Sequence, residues 1–203
     1  MTNIQRRMLD RAEQIAALIV YCFLVQRIWP DNFQFDALAP IMLLISEGAV
    51  ILFLLIRRPT ENISTRPIDW MAATAGTFLV LMVGNGGEPV AGEFAVLLIF
   101  YGMVVHIFAK FSLRRSFGLV AANRGVRRGG MYAFIRHPMY SGYMLTHVGF
   151  MLYAPSLWNM IIYGAVWGLL IARIIFEERV LMEDETYRDY ATKVRFRLAP
   201  FVY

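Results

Sequence analysis

Apolar residues in this chain fall in runs about as long as a bilayer's hydrocarbon core is thick, and no other feature limits its fold so strongly. The runs cover residues 13–29, 38–56, 69–84, 93–111, 139–154 and 157–179. Each is close to the ~20 residues that a helix needs to cross the core; the third and fifth are the shortest. The chain is 58% hydrophobic and 17% charged. A soluble domain carries about 45–50% and about 25% respectively. The expectation is an all-α, polytopic transmembrane helix bundle of about six spans. Short links make neighbouring spans antiparallel and leave one integral membrane domain over residues 1–203, with N-terminal spans in 1–111.

The charges in the links set a direction. Arg6, Arg7 and Arg11 precede the first run, and Arg57, Arg58 and Arg66 fall between the second and third. The 112–138 link holds Arg114, Arg115, Arg124, Arg127, Arg128 and Arg136, and the tail holds Lys193, Arg195 and Arg197. The alternate links carry Asp31, Asp36 and Glu88 with no lysine or arginine. By the positive-inside rule both termini and the 112–138 link are cytoplasmic. The net charge of +5 therefore belongs to membrane topology and not to nucleic-acid binding. The basic N-terminus resembles a signal peptide, but no small-residue cleavage site follows, so an uncleaved first span is expected.

Cys22, the single cysteine, is expected to be a packing residue, and no Cys/His cluster points to a metal. Gly84-Asn85-Gly86-Gly87 lacks a preceding strand and is expected to be a plain turn. Residues 184–195 are expected to form a short amphipathic interfacial helix along the membrane surface, with Tyr187, Tyr190 and Val194 on one face.

Three groups of residues are able to carry chemistry. The densest runs from Gly129 to Gly142 at the entrance to the fifth run. Pro138 suits the first turn of a helix, which places His137 at the cap. A helix N-terminus presents free N–H groups and can hold an anion. Tyr132 and Tyr140 add flat rings with polar tips, and Gly142 lets a ligand or a helix come close. The bland alternative is a basic, aromatic interface belt. The second group is Arg173 to Arg179. Arg173 and Glu177 share a helix face at i, i+4, and a charge as deep as Arg173 faces either a cavity or a partner. A structural ion pair with Glu177 is the alternative. The third is Glu47, an intramembrane carboxyl that serves a substrate, is protonated, or pairs with a base on another helix. His106, Lys110 and His147 are expected to be packing or interface residues.

Arg136-His137-Pro138-Met139-Tyr140-Ser141-Gly142, then Arg173-x-x-x-Glu177-Glu178, then Tyr187, Tyr190, Val194 and Pro200, resembles the isoprenylcysteine carboxyl methyltransferase family and the related membrane phospholipid methyltransferases. The resemblance covers about residues 112–203, in the form of a prokaryotic-type member, and implies a cell-membrane enzyme. It implies S-adenosylmethionine as cofactor, in a pocket open to the cytosol. The family's cofactor-binding positions fall on Tyr132, His137, Pro138, Met139, Tyr140 and Glu177. A looser upstream stretch falls on Arg124, Gly125, Val126 and Arg127. Arg173 takes the family's substrate-facing role, so Arg173 and Glu177 are the implied catalytic residues; Arg173 is a substrate-binding candidate by the resemblance, and Glu47 one by its depth in the second run alone.

The chemistry suits these residue types. Methyl transfer is an in-line displacement that needs alignment and exclusion of water. A carboxylate acceptor needs no general base, whereas an amine acceptor does. The expected partners are a lipophilic acceptor from the bilayer and membrane lipids, with no nucleic acid or metal. Carboxyl O-methylation is the favoured activity. Methylation of a phospholipid or small molecule at nitrogen or sulfur, and a carrier without chemistry, are the alternatives.

Overall fold

The computed structural model describes residues 1–29 and 38–200. The acidic link with Asp31 and Asp36 lies outside the described residues. Seven helices follow in order: α1 Asn3–Ile28, α2 Leu38–Ile56, α3 Pro67–Phe78, α4 Gly92–Leu113, α5 Pro138–Tyr153, α6 Leu157–Leu181 and α7 Glu185–Lys193. A 3-10 turn, Leu79–Met82, continues α3. The described residues form no strand, only a single antiparallel bridge between Ile63 and Ala122.

Helix boundaries track the apolar runs, with one clear difference. α1 starts ten residues before the first run. Thr2 and Gln5 form a reciprocal capping box there, which satisfies the first orphan N–H groups and extends the helix through a charged segment.

By length and composition, Gly92–Ser116 and Leu157–Leu181 are long and apolar enough to cross a membrane. Two shorter apolar helices, Ile41–Ile56 and Pro67–Met82, accompany them. α5, at 16 residues, falls short of the ~20 that a straight crossing needs. Outward faces are apolar: Leu55, Leu97, Phe108, Leu157 and Ile161 are all exposed. Large apolar side chains exposed on several helices suit contact with lipid better than with water. Cys22 is exposed on α1, so it is not the packing residue expected; the helix turns that position outward.

Two ends are tied differently. At one end Asn159, 1% exposed, holds the glycine turn. Its side chain accepts from Gly84 N (3.1 Å) and donates to the carbonyls of Gly84 (3.0 Å) and Ala154 (2.9 Å). The Gly84–Gly87 stretch is thus an exposed link tied to the start of α6, and Gly87 N donates to Pro155 O. Asn159→Ala leaves these partly buried backbone groups without that partner. A loss of about 1–3 kcal/mol is expected, measured by thermal unfolding in detergent; an unchanged midpoint would show that other groups satisfy them.

The other end gathers the N-terminal half of α1, the 57–68 and 112–138 links and α7. Those links therefore share an end, as their charges imply. Loop 60–64 pairs with loop 121–123 through Ser64 N to Ala121 O and Asn123 N to Asn62 O.

α4 and α5 approach most closely. A Cβ at Gly142 would lie 2.6 Å from His106 N and 2.8 Å from Gly102 O. Gly142 therefore admits a helix and not a ligand, as small residues do between membrane helices. The core lies among α1, α2, α4, α5 and α6, with Val50, Leu54, Ala109, Tyr140, Val166 and Ile174 fully buried.

Candidate active site

A four-charge cluster supports the site from below. Asp10 and Glu13 of α1 meet Arg57 and Arg124, and all four side chains are no more than 2% exposed. Arg124 Nη2 lies 2.7 Å from Asp10 Oδ1 and 3.5 Å from Glu13 Oε2. Arg57 pairs with the same two carboxylates. Glu13 Oε1 also accepts from the N–H groups of Leu119 (2.8 Å) and Val120 (3.3 Å). Two carboxylates on α1 thereby fix loop 117–124, which lines both cavities described below.

The first cavity is an open cleft of about 740 Å³, solvent at its mouth included. Tyr132, His137, Met139, Tyr140, Glu177, Arg124, Gly125, Val126 and Arg127 all line it. Pro138 does not; it is buried as the first residue of α5. Arg124 faces the cavity with its charge already neutralised by Asp10 and Glu13. Gly125 sits at φ +100, a left-handed conformation that favours glycine.

α7 supplies the remaining wall. Asp184 caps it by accepting from Thr186 N, and also accepts from Asn123 Nδ2, both at 2.8 Å. That second bond is the main reason its pKa is lowered. Tyr187 and Tyr190 pack against Tyr132, and Tyr190 Oη donates to Tyr132 O at 2.7 Å. The apolar face expected to lie on the membrane is therefore turned into the protein. Burial raises the pKa of Tyr132, Tyr187 and Tyr190, the last to about 12. All three hydroxyls stay protonated donors. Among the described residues, Tyr187 Oη is buried with no hydrogen-bond partner.

Adjacent carboxylates on α6 have opposite surroundings. Glu178, 6% exposed, is surrounded by Arg136 Nε (3.1 Å), His137 Nε2 (3.1 Å) and Arg197 Nε (2.8 Å). Spacing gives no reason to single it out, because it points about 100° away from Glu177. It pins the tail across the start of α5, where Arg136 N and His137 N donate to the carbonyls of Phe196 and Arg197. The N–H groups expected to hold an anion are thus partly taken by the chain itself. Glu177 is more open, at 24% side-chain exposure, and lies 3.8 Å from His137 Nδ1. It accepts a hydrogen bond from Tyr140 Oη.

The second cavity is an open cleft of about 990 Å³, solvent at its mouth included, lined by Arg173 and Glu47 together with Tyr21, Tyr143 and His147. Arg173 forms no ion pair with Glu177. Its guanidinium lies 5.3 Å from the centre of the Tyr140 ring, and Nη2 donates to Leu119 O at 2.9 Å. Its buried Nε has no partner among the described residues. Glu47 lies 3.5 Å from Lys110 Nζ on α4, and Ser46 Oγ also donates to it. Glu47 thus pairs with a base on another helix and lines a cavity as well. His147 accepts from Trp167 Nε1 at 3.2 Å, and His106 is buried beside Tyr143, as expected of packing residues.

The cavities share Gly118, Met139 and Tyr140 as walls. Tyr140 stands between two charges, with Glu177 at its hydroxyl and Arg173 over its ring. Among the described residues no group of acidic, histidine or cysteine side chains is placed to hold a metal.

The chain matches no curated protein. The family model described as phospholipid methyltransferase matches residues 90–189, about half of the chain. The match contains all of the first cavity's lining except Tyr190, but omits Tyr21, Glu47 and the rest of the N-terminal side of the second. By that match, the half of the chain that runs from α4 into α7 belongs to the phospholipid methyltransferases, a family of membrane methyltransferases related to the isoprenylcysteine carboxyl methyltransferases.

Proposed function

We propose that the protein is an S-adenosylmethionine-dependent methyltransferase acting on a lipophilic acceptor that carries an anionic group. One observation supports this best: Arg173 and Glu177, one turn apart on α6, do not pair but border different cavities on either side of Tyr140. A buried cation without a carboxylate calls for an anionic ligand.

The first cavity suits the cofactor. Its tyrosine rings can stack on a planar base, the unpartnered Tyr187 hydroxyl offers a donor, and Glu177 can receive an ammonium group. Arg127 adds a positive charge at the rim. When bound, the cofactor supplies an electrophilic methyl carbon on a sulfonium sulfur. The second cavity suits the acceptor. Leu24, Val80, Phe117 and Leu170 exclude water from it, and Arg173 can orient a carboxylate or phosphate with two parallel hydrogen bonds. A carboxylate acceptor is already ionised at neutral pH, so Arg173 positions it and no residue removes a proton.

A second reading is favoured by Glu47. Its carboxylate lines the same cavity as Arg173, so it is placed to take a proton from an amine while Arg173 holds a phosphate. Loss of methylation in Glu47→Gln would favour the amine; retention would favour the carboxylate.

We further propose six spans with both termini cytoplasmic. The basic links gather at one end of the bundle beside the first cavity, where a polar cofactor arrives from water and the acceptor from the bilayer.

Calorimetry with S-adenosylmethionine on the purified protein tests the assignment. Glu177→Gln is expected to weaken binding by roughly tenfold or more, the loss of one charge-assisted hydrogen bond at about 1.5–3 kcal/mol. Equal affinity in the variant would remove Glu177 from the cofactor site.

A further inference from the structure

Four arginines converge where α2 and α4 end. Arg58 and Arg115 are joined through the backbone, Arg58 N donating to Arg115 O at 2.8 Å. Arg115 Nε donates to Ile56 O at 2.9 Å, the last carbonyl of α2. Arg114 follows the last residue of α4 at φ 50, a conformation unusual for a side chain with a Cβ. Arg127 lies alongside, with Nε 3.2 Å from Ser116 Oγ. Its pKa is lowered by partial burial and then by the charges of Arg58, Arg114 and Arg115.

None of these four forms an ion pair with an acidic side chain among the described residues. Every other arginine cluster at this end has carboxylates: Asp10 and Glu13 hold Arg57 and Arg124, and Glu178 holds Arg136 and Arg197. Arg58, Arg114 and Arg115 are exposed.

Apolar surface continues from the same points. Leu52 and Leu55 lie six and three residues before Arg58 on α2. Phe108 and Phe111 lie six and three residues before Arg114 on α4. All four are exposed, Leu55 and Phe108 at 61%. The rings of buried Phe53 and exposed Phe111 meet edge to face at 5.3 Å, so α2 and α4 pack side by side at this end. An outward apolar strip thus ends in an unneutralised cluster of guanidiniums. That combination matches a molecule with acyl chains and an anionic phosphate head, because the chains cover the strip while the phosphate accepts from the arginines.

We infer that the ends of α2 and α4 form a docking surface for an anionic phospholipid, with the phosphate held by Arg58, Arg114 and Arg115. This surface lies outside the second cavity. It adjoins the mouth of the first, where a Cβ at Gly125 would lie 3.0 Å from Arg58 Nη1. Lipid bound there would steady the loop that carries Gly125 and Arg127. The inference holds whatever the acceptor or the cofactor is.

The test titrates fluorescent phosphatidylglycerol and, separately, phosphatidylcholine into the purified full chain in neutral detergent. Phosphatidylglycerol is expected to bind about a hundredfold more tightly, at about fivefold for each of the three arginines, and less so as salt rises. The double variant Arg58→Gln/Arg114→Gln is expected to weaken phosphatidylglycerol roughly thirtyfold, at about fivefold per arginine, and phosphatidylcholine much less, because the choline charge already offsets the pull of the arginines on its phosphate. Equal affinity of the wild type for both lipids overturns the proposal, as does a folded double variant that keeps the preference. Displacement of phosphatidylglycerol by millimolar inorganic phosphate would assign the cluster to a soluble phosphate and overturn the lipid assignment.

Discussion

Arg173→Ala is expected to reduce turnover by about 10²–10³-fold, the range for removing one electrostatic contact to reacting groups, while cofactor affinity stays within about twofold. The reasoning is local. Arg173 is 8% exposed, has no carboxylate partner among the described residues, and borders the cavity on the far side of Tyr140 from Glu177. Its guanidinium is anchored by one bond to Leu119 O and by the face of Tyr140, which leaves Nε without a partner. An anionic acceptor group is the natural counter-charge. Arg173→Lys is expected to recover little, because an ammonium cannot reproduce the forked grip of a guanidinium. Single-turnover methylation and calorimetry on the same samples separate the two effects. Loss of cofactor binding in Arg173→Ala would move this residue into the first cavity and reverse its assignment.

Glu13→Ala is expected to cost about 3–5 kcal/mol of stability, because removing one partner leaves buried charge uncompensated. In the intact cluster two carboxylates face two guanidiniums, and all are almost completely buried. Without Glu13, Arg57 and Arg124 share Asp10 alone, and Leu119 N and Val120 N lose their acceptor. Those two residues lie in the loop that lines both cavities, so cofactor affinity is expected to fall together with the unfolding temperature. Glu13→Gln keeps an acceptor without the charge and is expected to fall between. Thermal unfolding in detergent with and without S-adenosylmethionine measures both. A Glu13→Ala protein as stable as the wild type would show that water or rearranged side chains neutralise the arginines.

Residues that share one helix or one helix entrance are legible in the sequence. Pro138 opens α5 because it has no N–H to leave unpaired. Run lengths place the helices, because burial of apolar residues in a bilayer demands a minimum length. Order and spacing are enough to single out Arg173, Glu177, His137 and Tyr140. The pairings among them are not legible. Spacing of i, i+4 allows Arg173 and Glu177 to bond, but rotamers and the intervening Tyr140 decide that they do not. Helix geometry says only that Glu178 points about 100° away from Glu177, and only the fold brings Arg136, His137 and Arg197 around it. Asp10 and Glu13 carry no signal within a basic N-terminus, since their partners stand 44 to 114 residues away.

Local preferences, together with the cost of placing polar backbone and charge in lipid, are sufficient for several features. They specify an all-helical chain of apolar segments and its positive links at one end. They also put the chemistry-bearing residues at the entrance of α5 and the end of α6. Other features arise only in three dimensions: two cavities meet at Tyr140, helices outside the matched family segment wall the second cavity, and α7 turns its tyrosines inward. Each of these depends on contacts between segments far apart in the chain, which run length and local spacing cannot specify.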